Sequence, residues 1–377
     1  MNRIEDCVIY RDQRIDVIKG LGIILMVLGH CGFPFTHFVY LFHMPIFFIA
    51  SGYCLKQNYT SSFNGVLSLI KKRIKSLYIP YILYNIIFLF LWNIFTKFNI
   101  YSDNSMFSLL QNNSAASIIK PLTIIDFLKK LSMIFLFFGN GGQMTGAFWF
   151  IRCLFCVTIG YAIIDCLINR FLKNAKLFIQ GFISLCFLGF SFFLAKKNIM
   201  LFGLDLIFAT YILFYIGKLL QEILVFDSLQ KNIKILFFCI SFVSLLICNF
   251  TGSIELSSRI YTNPFFYIVA SMSGWFFLYG IAECICTYNF SKIFSYIGEH
   301  SIVVVGLHFL CFKIISFLQI KFYGYPDFML ASFPVLNGKE YWWIGYALFG
   351  VCIPLFCDKI VMLVKQQLKL FYERAHK

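Results

Sequence analysis

The chain has 377 residues, of which 60% are apolar, 20% aromatic and only 13% charged, about half the charged share of an ordinary soluble domain; this excludes a sizeable water-soluble domain. A net charge of +15 invites a nucleic-acid reading, but that footprint is a basic patch on a folded polar surface, whereas here Lys and Arg sit in short turns between apolar stretches. Such a distribution sets membrane orientation, so membrane lipid is the expected surrounding and no nucleic-acid partner is expected.

Residues 1–14 are polar and basic. The apolar stretch opening at Ile15 has no small-residue cleavage site behind it, so a removable signal peptide is not expected. From there, apolar windows close to the roughly 20 residues that cross a hydrocarbon core recur at 15–34, 37–55, 77–96, 147–168, 177–195, 199–219, 233–250, 265–285, 301–319 and 342–363. The expected fold is all-α: a polytopic membrane helical bundle of about ten transmembrane helices in a cell (inner or plasma) membrane. It divides into an N-terminal segment 1–14, a membrane domain 15–363 and a tail 364–377. Of the 32 Lys and Arg residues, 21 fall on the side that holds both termini, nine on the other, and Arg152 and Lys313 lie inside spans. Both termini are therefore expected in the cytoplasm.

The stretch 97–146 is expected to be an external loop with an interfacial or re-entrant helix. Its segment Leu131–Phe138 is too short to span, and the Gly-rich run Gly139–Gly146 lacks the pattern of a phosphate-binding loop. Most of the fourteen cysteines lie in apolar segments as small hydrophobes. Cys153 and Cys156 form a C-x-x-C with neither a second pair nor a His cluster at zinc spacing, so no metal is expected.

Ionisable groups inside spans are costly, and so are functional candidates. Asp16, Lys19 and His30 share the first span, RIDVIKGLGIILMVLGH. The eleven residues from Lys19 to His30 make about 3.1 helical turns and rise about 16.5 Å, which puts both on one face. That suits a long ligand with an anionic end at the cytoplasmic rim and a reactive end deeper in, the shape of coenzyme A. A histidine beside the thioester can accept the proton of an attacking hydroxyl. Asp16, about 21 Å from His30 by the same rise, pairs with Lys19 or caps the helix start. A satisfied hydrogen bond between helices accounts for a buried His30 as well, and periodicity leaves both readings open.

The basic run Lys71–Lys75 before the third span fixes topology on anionic lipid, or clamps phosphates at the mouth of the same groove. His43, Arg152 and His308 also lie in spans. Arg152, just after Trp149, is near enough to a helix end to snorkel, whereas His308, two turns inside its span, needs a partner or a cavity.

The blocks RIDVIKGLGIILMVLGH at 14–30, FHMPIFFIASGYCLK at 42–56 and KKRIKSLYIPY at 71–81, with weaker ones at 147–156 and 296–310, resemble acyltransferase family 3 of polytopic membrane enzymes. The resemblance is closer to its branch of fucose 4-O-acetylase-like bacterial sugar O-acetyltransferases. It implies a ten-helix domain, an acyl-CoA donor used from the cytoplasm and an essential histidine at His30. Many members place Arg eleven positions before that histidine, with ten residues between them; here Lys19 keeps the charge without the two-pronged guanidinium. The family's R-x-x-R pair reads here as Arg73 with Ser76 or Lys72 with Lys75, so the cluster is expected to bind phosphates as a group.

The function expected from the resemblance is transfer of acetyl from acetyl-CoA to a hydroxyl of a cell-surface polysaccharide or its lipid-linked precursor. His30 is the catalytic candidate; Lys19, Lys72, Arg73 and Lys75 hold the acyl-CoA; Asp16, His43, Trp149, Arg152 and His308 line the cavity for a glycan acceptor. Glycan-assembly proteins are possible partners. The alternative is a transporter or flippase of a polar or lipid-linked solute, for which the telling feature is an inverted repeat; the K-x10-H block occurs once. A third reading, an inactive scaffold, gives no reason to retain costly groups in lipid.

Overall fold

Long apolar runs punctuated by Pro, Gly and basic residues fold into helices, and the computed structural model describes residues 12–103, 118–223 and 229–375. In chain order the first helices are α1 Gln13–His30, α2 Thr36–Tyr40, α3 Pro45–Tyr53, α4 Phe63–Arg73, α5 Ile79–Phe90, α6 Trp92–Lys97 and α7 Ile124–Phe135. There follow α8 Trp149–Phe171, α9 Lys176–Lys196, α10 Asp205–Ile223, α11 Lys231–Thr251, α12 Pro264–Ile285, α13 Ser291–Glu299, α14 Ser301–Tyr323 and α15 Trp342–Ala375. Between α11 and α12, β1 (Ile254–Glu255) pairs antiparallel with β2 (Ile260–Tyr261), Glu255 opposite Ile260.

Among the described residues, seven helices are long and apolar enough to cross a membrane: α8 to α12, α14 and α15. The other three expected crossings are built differently. α1 has 18 residues and carries Arg14, Asp16 and Lys19. The second is interrupted: α2 stops, Leu41–Met44 form a turn, and Pro45 starts α3 at a position where its missing N–H costs nothing. The third begins earlier than expected, at Phe63, passes through a π-helical turn at Ile74–Tyr78, and breaks at Leu91 before α6. A π turn inserts an extra residue and re-aims the side chains after it. The sixth starts later than residue 199, because Asn198, Phe202 and Gly203 take left-handed backbone conformations and the helix begins only at Asp205.

α1 is a central helix: Val17, Ile18 and Val27 are fully buried, and it packs against α3 and α12 to α15. Its closest neighbour is α13, where a side chain on Gly20 would collide with the Phe294 carbonyl and one on Gly298 with the Asp16 carbonyl. Small residues that let backbones touch are the usual means of association where no water drives packing. By contrast α11 lies at the periphery, with Ile240, Val243, Ile247 and Phe250 exposed, as suits a helix facing lipid.

α7 spans 12 residues, about 18 Å of rise, too short to cross. It packs on α5 with Ile124, Ile125 and Leu128 exposed; residues 104–117 of the 97–146 stretch lie outside the described residues, as do 1–11 of the N-terminal segment. The expected tail at 364–377 continues α15 as helix to Ala375, past Pro354.

Candidate active site

The last turn of α1 carries His30 to the wall of a cavity of about 390 Å³, within the size range of small-molecule sites. Separate stretches of chain close it: Ile23 to His30 of α1, Tyr40 to Phe47, Gly146 to Phe150, the β1–β2 hairpin, Val305 and Phe309 of α14, and Phe333 with Pro334. Tyr40 donates to the Gly29 carbonyl at 3.0 Å, tying α2 back onto the end of α1.

Three histidines gather there. His30 is half-buried, faces the cavity and has no hydrogen-bond partner for its ring among the described residues. His308 is fully buried behind it, ring centroids 5.7 Å apart at 25°. His43 lines the cavity and stacks on Tyr40 at 4.9 Å. The Nδ1 of His308 lies 2.9 Å from the Val304 carbonyl and 3.1 Å from that of Val305, and the Nδ1 of His43 lies 3.0 Å from the Val39 carbonyl. A carbonyl only accepts, so both Nδ1 atoms carry a proton and both Nε2 atoms are left as acceptors. The His308 Nε2 is buried without a partner among the described residues. An imidazole at a cavity wall is placed to accept a proton from a hydroxyl bound beside it.

The other end of α1 is basic. Lys19 Nζ lies 3.8 Å from Asp16 Oδ1, and Ile23, one turn from Lys19, is where the cavity lining begins. Arg73 Nη2 donates to Ser51 Oγ at 3.3 Å while its Nε is buried without a partner. Both Lys19 and Arg73 lie within electrostatic reach of Cys54, at the end of α3. Lys72 sits 5.5 Å over the Tyr59 ring, and Lys75 is exposed in the π turn. On α13, which packs along Asp16–Gly20, Ser295 Oγ and Tyr296 OH are also buried without partners. The unsatisfied Arg73 Nε, a donor on a cation, fits a phosphate-bearing ligand.

Of the expected site residues, His30, His43 and Trp149 line the cavity, and His308 backs it. Asp16 and Lys19 lie at the far end of α1; Lys72 and Arg73 end α4, and Lys75 follows in the π turn. Arg152 is not among the lining residues: two positions after Phe150, it points about 200° away around the helix. There its Nη1 donates to the Phe137 and Phe138 carbonyls at 3.3 and 3.2 Å.

The sequence did not flag Glu255, Tyr40, Phe333, Ser295 or Tyr296. Nor did it flag Lys313 as a brace: its buried Nζ donates to the Leu330 and Ser332 carbonyls at 3.0 and 2.6 Å, holding the segment that presents Phe333. Tyr40, one turn before His43, was the one with a readable signal. The rest come from loops or from across the bundle.

Other charged groups knit the scaffold. Lys176 pairs with Asp165 at 3.1 Å and Lys218 with Glu222 at 3.2 Å, while Lys218 also donates to the Leu55 carbonyl, closing a network across α8, α9 and α10. Cys153 Sγ meets Thr210 Oγ1 at 3.2 Å. Among the described residues no group of His, Cys, Asp and Glu is arranged to hold a metal.

A family model described as an acyltransferase domain, the acyltransferase 3 family, matches residues 12–357. Comparison with curated proteins and with solved structures gave no significant match.

Proposed function

Since the chain belongs to the acyltransferase 3 family and is a multi-pass membrane protein, we propose that it transfers acetyl from acetyl-CoA to a hydroxyl of a cell-surface polysaccharide or its lipid-linked precursor. The observation that carries this reading is His30 facing a cavity whose lining on α1 reaches back to Ile23, one turn from Lys19 and about 6 Å along the helix. A thioester in the cavity then has its phosphates at Lys19, Lys72, Arg73 and Lys75. In the expected orientation this end faces the cytoplasm, where acetyl-CoA is made.

In the transfer, the acceptor oxygen attacks the thioester carbonyl carbon while His30 takes the hydroxyl proton. The C–O bond forms, the C–S bond breaks, and the proton passes from His30 to the departing thiolate, leaving an ester and free coenzyme A. His308, stacked behind the ring, sets its plane. The sugar specificity suggested by the likeness to fucose 4-O-acetylase-like enzymes is in keeping with the amphipathic wall made by Trp149 and the polar hairpin.

Mass analysis of surface glycans with and without the gene tests the reaction. We expect an acetyl-sized difference, and identical glycans would sink the reading. In purified protein, His30→Ala is expected to lower acceptor-dependent release of coenzyme A by about 10²- to 10⁴-fold; equal turnover removes His30 from the mechanism.

A further inference from the structure

We propose that Glu255 is the acceptor-binding residue of the cavity, its carboxylate taking hydrogen bonds from neighbouring hydroxyls of a polyol and so selecting which hydroxyl meets His30. The inference rests on the function proposed above and adds how the acceptor is recognised.

Among the described residues that line the cavity, Glu255 is the single one with a formally charged side chain, Asp, Glu, Lys and Arg being counted. It belongs to β1, and the hairpin that presents it is anchored from outside the site. Arg259, in the left-handed region at φ 58°, sends Nε to Asp205 Oδ2 at 2.7 Å and Nη2 to Asp205 Oδ1 at 3.2 Å. Its Nη1 meanwhile donates to the Ser257 carbonyl at 2.8 Å. A forked pair of this kind fixes direction as well as distance, so α10 holds the hairpin over the cavity mouth.

Within the hairpin, Ser258 Oγ donates to Glu255 Oε1 at 2.7 Å. Among the described residues no donor reaches Oε2. Half of the carboxylate is held in place and half is open to a ligand. Glu255, Tyr40 and His30 all line this cavity, the Tyr40 ring standing edge-on to His30 at 6.4 Å, so carboxylate and imidazole border the same space.

An ionised carboxylate only accepts, and it repels phosphate. The ligand it selects therefore donates hydrogen bonds, as hydroxyls do, and is not an anion. The apolar remainder of the wall, including Met26, Phe150 and Phe309, lowers the local dielectric and strengthens such bonds. A carboxylate whose only duty was to staple the hairpin would affect stability and no substrate in particular.

The test uses full-length protein in lipid nanodiscs, free of glycoside detergents, with the methyl pyranosides of glucose, galactose and fucose as probes. Binding is read from tryptophan emission, since Trp149 lines the cavity, and transfer from thiol release out of acetyl-CoA. For a glycoside that the wild type binds, Glu255→Gln is expected to weaken binding about ten- to a hundred-fold. Its KM should rise in step while the acetyl-CoA KM stays put, with Glu255→Asp intermediate and Asp205→Asn, a positioning change, giving a smaller rise.

Glycoside affinity within twofold of wild type in Glu255→Gln overturns the proposal. So do an equal shift in both KM values and a wild type that binds none of the three sugars. Binding that depends on Glu255 without any transfer supports the acceptor site and counts against the acetyltransferase reading instead.

Discussion

His308 lies against His30 with the two rings 5.7 Å apart and 25° from parallel, and its own Nδ1 is pinned by the carbonyls of Val304 and Val305. The ring is thus a fixed surface on which an otherwise unbonded His30 rests.

If that surface sets the His30 geometry, His308→Ala lowers kcat by about tenfold or more and leaves the acetyl-CoA KM nearly unchanged, since a displacement of about 1 Å at a reacting group costs up to 10² in rate. We expect His308→Phe, which keeps a flat ring in place, to retain most of the rate. Steady-state thiol release from acetyl-CoA decides between stacking and a chemical role: a loss in the Phe variant as deep as in the Ala variant would mean that the buried Nε2 takes part.

Arg73 carries a buried Nε with no partner and one bond to Ser51. As a phosphate ligand it is expected to act on donor binding alone. Arg73→Ala should raise the acetyl-CoA KM about ten- to a hundred-fold, the equivalent of about 1.5–3 kcal/mol for a charged hydrogen bond, with the acceptor KM unmoved. Arg73→Lys should recover only part of this, because a single ammonium cannot serve Ser51 and a phosphate in the same fork. An unchanged donor KM in both variants takes Arg73 out of the site.

Lys313 holds the Phe333 wall through two backbone carbonyls. In Lys313→Met those carbonyls lose their donor inside the protein, at a cost of roughly 2 kcal/mol. The expected outcome is a lower unfolding temperature together with a fall in kcat, read by scanning fluorimetry and thiol release. A variant that melts earlier yet turns over at the wild-type rate would limit Lys313 to stability.

Gly20→Ala and Gly298→Ala each drive a methyl group into a backbone carbonyl of the facing helix. Backbone cannot step aside as a side chain can, so each is expected to destabilise by about 1–3 kcal/mol or more. Gly189→Ala is the control: a methyl there meets nothing within 4 Å, and replacing a helical glycine gains up to about 1 kcal/mol. Melting temperatures of the three variants in one detergent make the comparison, and equal values for all three would show that the α1–α13 contact is not this close.

Hydropathy is a property of short stretches, and the sequence alone therefore determined that the protein is a membrane-spanning helical bundle and where its long helices run. Helical periodicity is equally local, so it also put Lys19 and His30 on one face of α1. Tertiary structure decided the rest. The turn ahead of Pro45, the break at Leu91 and the late start of α10 at Asp205 interrupt or shorten apolar windows that hydropathy reads as continuous, because hydropathy does not register backbone geometry. Only the folded chain brings Glu255, Phe333 and His308 to His30, and turns Arg152 toward the Phe137 carbonyl instead. These are contacts between segments up to about three hundred residues apart along the chain, and no pattern within one helix encodes which face of another it will meet.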